Sequence, residues 1–536
     1  MPNSKSLQHI FAEIPAPFTR NDAPDVSIRG IAIDSRAAKP GYLFVAMKGG
    51  SVDGHDYIPT AIENGATAVV GESELTGLPV PYIRLEHPRR VLTWIAASFY
   101  NWPGRKLRVI GVTGTDGKTT TTNLLHKILL AADFKAGMVS TVNAVIGDEV
   151  LDTGFHVTTP DAHDVQMYLA RMVDAGLTHV VLETTSHGWA QHRVDACEFD
   201  VAVVTNITHE HMDEHGSYEN YRAAKARLFS NLEITQAKPH GNPRLGVINR
   251  DDLKSFDFLN AFIKVNKKNY GLQSGADVRA LDVEFSPSGL HFTAQSSDFR
   301  VGIWSRLVGS YNISNCLAAL TAAVYGLGIE PEVAARGIAA LDGIPGRMER
   351  IDLGQNFTAI VDFAHTPNAL KVTLQAAREI RDNLSQQTKP RIIVVFGSAG
   401  LRDKAKRRMM AETSAGLADL TVLTAEDPRT ESLDGILEEM AAGARSRGGR
   451  EGETFWRVPD RAEAIRFALK LARPGDMVLS CGKGHEQSMC FGAREHLWDD
   501  RTAMRAALAE QLGVPGPAMP YLPTHDTEEK EWLNWK

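Results

Sequence analysis

Cysteine is scarce in this chain. The four present among 536 residues, Cys197, Cys316, Cys481 and Cys490, lie far apart with no C-x-x-C pair. That excludes a dense disulfide framework and suits a reducing cytosol. Long apolar runs are missing too. No segment approaches the roughly 20 apolar residues of a membrane span, and the N-terminus MPNSKSLQHIFAEIP has no basic stretch leading into an apolar core. An unexported, cytoplasmic protein without membrane insertion is expected. Nor is positive charge in excess: 58 Lys and Arg against 65 Asp and Glu leave a net charge of -7, which gives no blanket field for nucleic acid. Repeats of 20 to 50 residues are absent. What is present is ordinary globular material, 43% hydrophobic and 23% charged, in a chain several times longer than a typical domain of about 150 residues.

Patterning divides the chain in three. Residues 1–106 read as a small mixed unit, with strand-like GIAIDSR and GYLFVAM ahead of a helical DYIPTAIENGA, ending near the turn Pro103-Gly104. Residues 107–345 alternate apolar runs (LRVIGV, THVVLE, FDVAVVTN) with helical stretches, the pattern of a parallel α/β sheet. One helix is predicted from Asp161, as its cap, to Ala175, with Val165, Leu169, Met172 and Val173 on one stripe and Gly176 as its stop. Residues 346–536 repeat the alternation with FTAIVD, RIIVVFG, DLTVLTAED and DMVLSCG. Asp362, Gly397, Glu426 and Gly482 then fall at one carboxyl edge of a Rossmann-like sheet, where ligands bind. From about 515 a Pro-rich, then acidic, tail is expected to be a surface appendage. The fold class is therefore α/β in three domains.

The strongest local signal is GVTGTDGKTTTT, residues 111–122, between a strand and a helix. Backbone N–H groups of such a loop suit phosphate oxygens, Lys118 can neutralise the outer phosphates, and the Thr119 hydroxyl can reach Mg²⁺. The strict G-x-x-x-x-G-K-[ST] spacing is not met, because Val112 occupies the first glycine position. Glu183 ends the strand THVVLE and THEHMDEHG follows the next, which brings a carboxylate and imidazoles to the edge that carries the loop. Such oxygen ligands, with an occasional histidine, suit a hard cation. His209 and His215 are expected to be solvated or hydrogen-bonded surface. In SYENYRAAKARLF, Lys225 shares a helical stripe with Tyr221, Ala224 and Leu228. For an isolated lysine the ordinary outcome is a buried stem with its ammonium in water.

TGTDGKT resembles the ATP loop of the Mur ligases, which build the peptide stem of bacterial peptidoglycan, and the likeness runs through all three units. Here Asp116 stands where other members mostly carry Asn. ETTSHGWAQHRV and TNITHEHMDEHGSYENYRAAKARLF are similar to the segments of that family containing E-V-S-S-H, D-H-L-D-x-H-G and A-K-x-x-L-F, with Thr184-Thr185 for Val-Ser and Glu210 for Asp. The resemblance implies ATP bound through Gly114, Thr115, Asp116, Gly117, Lys118, Thr119 and Thr120, with Asn315, Arg347 and Asp362 completing the pocket and His365 helping. It implies Mg²⁺ held by Thr119, Glu183, His211 and a carbamylated Lys225, and catalysis by Lys118, Glu183, His211 and Lys225. Amide formation would proceed through an acyl phosphate.

Several segments resemble the MurE-type group, which makes the third addition to a UDP-N-acetylmuramoyl dipeptide. That implies contacts to the UDP substrate from Ser35, Gly50, Ser51, Val52, Thr158, Thr159, Thr185, Gln191 and Arg193. The incoming diamino acid would meet Arg402, Glu426, Asp427, Pro428, Arg429, Gly482 and Glu486. An arginine suits the far carboxylate of meso-diaminopimelate. The family's usual Asp-Asn-Pro-Arg is Glu426-Asp427-Pro428-Arg429 here, and the added carboxylate could instead welcome the terminal ammonium of lysine or ornithine. The rivals are a folylpolyglutamate synthase, a P-loop kinase or ATPase forming no amide, and a non-catalytic nucleotide-binding scaffold. A monomer is expected.

Overall fold

A computed structural model describes residues 4–49, 52–151, 159–208, 215–286, 289–383 and 390–526. The chain divides into two compact units, one of Met1–Arg279, Ala294–Val301 and Ser314–Ile338, the other of Ala280–Thr293, Gly302–Ile313 and Ala339–Lys536.

In the first unit, strands Gly30–Ala32, Tyr42–Val45, Ala66–Gly71 and Tyr82–Arg84 form a parallel sheet in that order. Helix Pro88–Phe99 belongs to the same apolar core through Val91, Leu92, Ile95 and Phe99, and Pro88 suits its first turn. The larger sheet runs in the order Glu149–Leu151, Ala144–Ile146, Ala136–Val139, His179–Glu183, Arg108–Thr113, Val201–Val204, Leu245–Asn249, Asn266–Gly271, and then the strand that begins at Val278. From Ala136–Val139 onward the pairs are parallel, and the central strands Arg108–Thr113, His179–Glu183, Val201–Val204 and Leu245–Asn249 are the apolar, buried runs such a sheet favours. Register puts Glu183 opposite Val112 and Val204 opposite Thr113, so three strands end together. At the opposite end Asp200 and Lys238, both fully buried, pair at 2.5 Å, and Lys238 also donates to the Leu107 and Glu198 carbonyls.

The predicted helix from Asp161 spans Ala162–Asp174, with Val165, Leu169 and Met172 buried and Val173 half-buried. Asp161 occupies the cap position but makes no cap bond; its carboxylate pairs with Arg193 at 3.1 Å instead. An ion pair has displaced the expected local hydrogen bond.

In the second unit the strand order is Glu349–Ile351, Thr358–Asp362, Met477–Cys481, Ile392–Phe396, Leu420–Leu423, Phe455–Arg457, parallel apart from the first pair. Helices Pro367–Asn383, Lys404–Leu417 and Leu433–Ser446 come after the expected strands. Strand Phe455–Arg457 and helix Arg461–Leu471 complete a unit the apolar runs did not reveal, because that strand is only three residues long. The segment after 515 runs over the surface as expected but is anchored there: Leu522 is 1% exposed in the core, and Thr524 Oγ1 donates to Asp460 at 2.7 Å. Beyond 526 the tail lies outside the described residues.

Candidate active site

Strand Arg108–Thr113 delivers the loop Gly114–Gly117 to the N-terminus of helix Lys118–Ala131. Two glycines are required there. Gly114 (φ 149°) and Gly117 (φ 82°) lie at left-handed angles, and a β-carbon would overlap Thr205 Oγ1 at the first and Asn315 Oδ1 at the second. The loop is pinned from the neighbouring strand end: Thr115 N donates to Asn206 O (2.7 Å), Asp116 N to Asn206 Oδ1 (2.9 Å), and Thr205 Oγ1 to Asp116 O (2.5 Å). Thr115 Oγ1 lies 2.9 Å from the Tyr221 hydroxyl and accepts from Thr208 N at 2.9 Å. Lys118 Nζ folds back onto Thr115 O at 2.7 Å.

Glu183 is 2% exposed, and both its oxygens are held. Oε1 accepts from Thr119 Oγ1 (3.1 Å) and Thr141 Oγ1 (2.8 Å), and Oε2 from Thr141 N (2.9 Å). Thr119, Thr141 and Glu183 thus gather hard oxygen donors beside the loop, a set that fits Mg²⁺. Lys225 does not run its ammonium out to water. It lies on helix Tyr218–Ile234, capped by Ser217, is 2% exposed, and donates to Gly114 O at 2.6 Å beside the Tyr221 ring. The stripe Tyr221, Ala224, Lys225, Leu228 is buried as predicted. His215 is half-buried, its ring 5.4 Å from that of Tyr221, and is not free surface; His209 and His211 lie outside the described residues.

Thr159, Thr185 and Arg193 meet: the two hydroxyls are 3.1 Å apart, and Arg193 Nη1 donates to Thr159 O at 2.7 Å. Thr185 Oγ1 also caps the short helix Ser186–Ala190 by accepting from Gly188 N. Gln191 contacts His187 at 2.7 Å. Ser35 is buried in a short turn and Val52 is half exposed; Gly50, Ser51 and Thr158 lie outside the described residues. The first unit also holds a cavity of about 460 Å³ lined by Lys48, Glu72, His87, Arg89, Arg90 and His192 among others. Sequence reasoning passed over this basic lining, whose signal was the run HPRR.

In the second unit Gly397, Glu426 and Gly482 come together, since a β-carbon on either glycine would strike Glu426. Glu426 is 5% exposed; burial pushes its carboxyl up, against the pull of Lys406, Arg461 and Lys483. Asp427 pairs with Lys483, which pairs with Glu486 at 2.5 Å. Pro428 is buried, Arg429 half-buried, and Arg402 exposed in the loop before helix Lys404–Leu417. The Asp362 oxygens accept from Met348 N, Ala364 N and Thr373 Oγ1, so that carboxylate is occupied by its own turn, the segment before strand Glu349–Ile351 and the following helix. Arg347 lies over the Phe363 ring, centroid 4.5 Å, and His365 Nδ1 donates to Phe363 O. Burial drives His365 down to about 3.

Comparison with known proteins shows what holds these parts together. Profiles described as Mur ligase family, catalytic domain, Mur ligase middle domain, and Mur ligase, glutamate ligase domain match residues 27–100, 112–323 and 346–484. The chain is 44% identical to a UDP-N-acetylmuramyl-tripeptide synthetase of Roseiflexus sp. (strain RS-1), covering 91% of this chain and 96% of that protein. It is 38% identical to a UDP-N-acetylmuramoyl-L-alanyl-D-glutamate--2,6-diaminopimelate ligase of Geobacillus thermodenitrificans, covering 94% and 99%. The chain belongs to the Mur ligase family. It is accordingly an ATP-dependent ligase with the three-domain α/β architecture of the Mur ligases. A solved 2,6-diaminopimelate ligase structure superposes with a TM-score of 0.63 at 30% identity, covering 95% of this chain and 99% of the other. Among the described residues no helix is long and apolar enough to cross a membrane.

Proposed function

We propose that this Mur ligase joins a diamino acid, meso-2,6-diaminopimelate, to the D-glutamate carboxylate of UDP-N-acetylmuramoyl-L-Ala-D-Glu, with cleavage of ATP to ADP and phosphate. The observation that carries the reading is the shared edge in the first unit, where Lys118 and Lys225 reach one glycine loop and Thr119, at the helix start that follows it, meets Glu183. The names of the Geobacillus relative and the solved ligase support the substrate pair. The proposal divides the chain at 1–106, 107–345 and 346–536, consistent with the matched profiles.

In the reaction the acceptor carboxylate attacks the γ-phosphate to give an acyl phosphate, and the amine then displaces phosphate through a tetrahedral intermediate. Two anions must first approach each other, so neutralising and aligning them is the main task. Backbone N–H groups at the loop end and helix start that Asn206 does not occupy, with Lys118, would hold the outer phosphates. Mg²⁺, when bound, offsets phosphate charge; Glu183, Thr119 and His211 would hold it, with Lys225 after carbamylation supplying two further oxygens. Thr159, Thr185, Gln191 and Arg193, with Ser35, Val52 and the basic cavity, would hold the UDP-linked substrate. Asn315, which leaves no room for a β-carbon at Gly117, and Arg347 would contribute to nucleotide binding. Glu486 and Glu426 offer acceptors for an ammonium, and Arg429 and Arg402 donors for a far carboxylate.

The test is ADP release with and without the UDP-muramoyl dipeptide, against a panel of meso-diaminopimelate, lysine and ornithine. Turnover should require both substrates and be fastest with meso-diaminopimelate. Equal ADP release without either substrate would refute ligation, and a preference for lysine or ornithine would replace the amino acid proposed.

A further inference from the structure

The loop Glu426–Arg429 carries an acid at 427 that a diaminopimelate site would not be expected to want. A carboxylate facing the far carboxylate of that amino acid repels it, and such juxtapositions are an effective way to reject a ligand. The surroundings of Asp427 give the group another use. Its Oδ1 accepts from Cys490 N at 2.8 Å and lies 3.2 Å from Lys483 Nζ, and its Oδ2 lies 3.1 Å from the same ammonium. Both oxygens are therefore engaged by the chain itself. Lys483 has a wholly buried side chain and reaches Glu486 Oε2 at 2.5 Å on its other side.

The contacts also fix the loop. Asp427 and Arg429 have left-handed backbone (φ 41° and 55°), which residues other than glycine adopt only when their surroundings hold them there. Arg429 N donates to Cys490 O at 3.1 Å, and Gly400 N to Asp427 O at 2.9 Å. The Asp427 side chain and the Arg429 backbone thus grip the same residue, Cys490, which anchors the backbone that carries the Arg429 side chain.

We propose that Asp427 is a positioning residue and not a substrate ligand, and that Lys483 is its built-in counter-ion, which lets the site accept an amino acid with a negatively charged far end despite the added carboxylate. This deepens the proposed function and rests on the reading that the Glu426–Arg429 loop receives the diamino acid.

The experiment measures kcat/KM for meso-diaminopimelate and for lysine with the full-length enzyme and three variants, D427N, K483M and D427N/K483M, each checked for folding by thermal unfolding. Asp427→Asn keeps the shape and an acceptor for Cys490 N–H. The two kcat/KM values should move together, their ratio staying within about threefold of the parent enzyme. Lys483→Met leaves Asp427 and Glu486 both uncompensated, so diaminopimelate should lose at least about tenfold relative to lysine, and the double variant, which removes the Asp427 charge but keeps that of Glu486, should recover at least about threefold of that loss. A loss of about tenfold or more confined to lysine in D427N would make Asp427 a direct ammonium ligand and overturn the proposal. So would a double variant as skewed as K483M. If K483M does not fold, the D427N ratio alone decides. Absence of turnover with either amino acid in the parent enzyme sinks the underlying functional reading instead, and is recognisable as such.

Discussion

Glu183 is held on both oxygens before any ligand arrives, and Thr141 provides two of the three bonds. Replacing Glu183 by Gln should reduce turnover by about a hundredfold or more, because the amide loses the charge that faces a cation. Thr141→Val should leave the backbone bond intact and raise the Mg²⁺ concentration needed for half-maximal activity several-fold, with the amino-acid KM unchanged; an unaltered Mg²⁺ requirement would remove Thr141 from the site. Lys225→Ala should abolish most turnover while Lys225→Glu retains part of it, since a carboxylate partly replaces a carbamate. Full activity in the alanine variant rules the role out. The glycine loop, Glu183 and the Lys225 stripe could be read directly, because a local motif or a helical period marks each. The partners of Thr141, Asn206, Tyr221 and Lys483 could not. Those partners lie 42, 90, 106 and 56 residues away, and no local motif or helical period links residues at such separations.

At the scale of elements, several strands of both parallel sheets and some of the helices were legible because buried parallel strands are continuous apolar runs and the helices keep one apolar stripe. What escaped were short pieces such as Phe455–Arg457, and competition between local and distant partners, as when Arg193 takes the Asp161 carboxylate from its helix. The Asp200–Lys238 pair is an element-level staple that ties the amino ends of Arg108–Thr113 and Val201–Val204 to a later loop. Lys238→Met would strand a buried carboxylate and should cost about 3 to 5 kcal/mol of stability, whereas the double change D200N/K238M should cost less. Equal losses in denaturant titrations would show that the pairing is irrelevant.

For the whole molecule, buried imidazoles add to acid sensitivity. Burial pushes His179 down from 6.5 to about 4, helped by Arg108 and His240, and its ring packs on Phe134 at 4.2 Å. The unfolded chain therefore binds the proton more readily than the folded one between those two values. The neutral ring's contribution is complete above pH 6.5, falls as pH drops, and is lost by about pH 4, a change of about 3 kcal/mol for this residue. Unfolding midpoints recorded from pH 7 to pH 4 should decline, and His179→Phe should flatten the decline. A curve of unchanged slope would mean other groups dominate.

Three adjacent strands, Arg108–Thr113, His179–Glu183 and Val201–Val204, finish level with one another. Because side chains alternate across a sheet, adding or deleting a single residue within any of them would shift the downstream residues by roughly 3.3 Å and turn them to the opposite face. The enzyme can therefore vary in length only outside these runs, in connections that do not set where a strand stops, and an engineered insertion is tolerable there and ruinous two residues earlier.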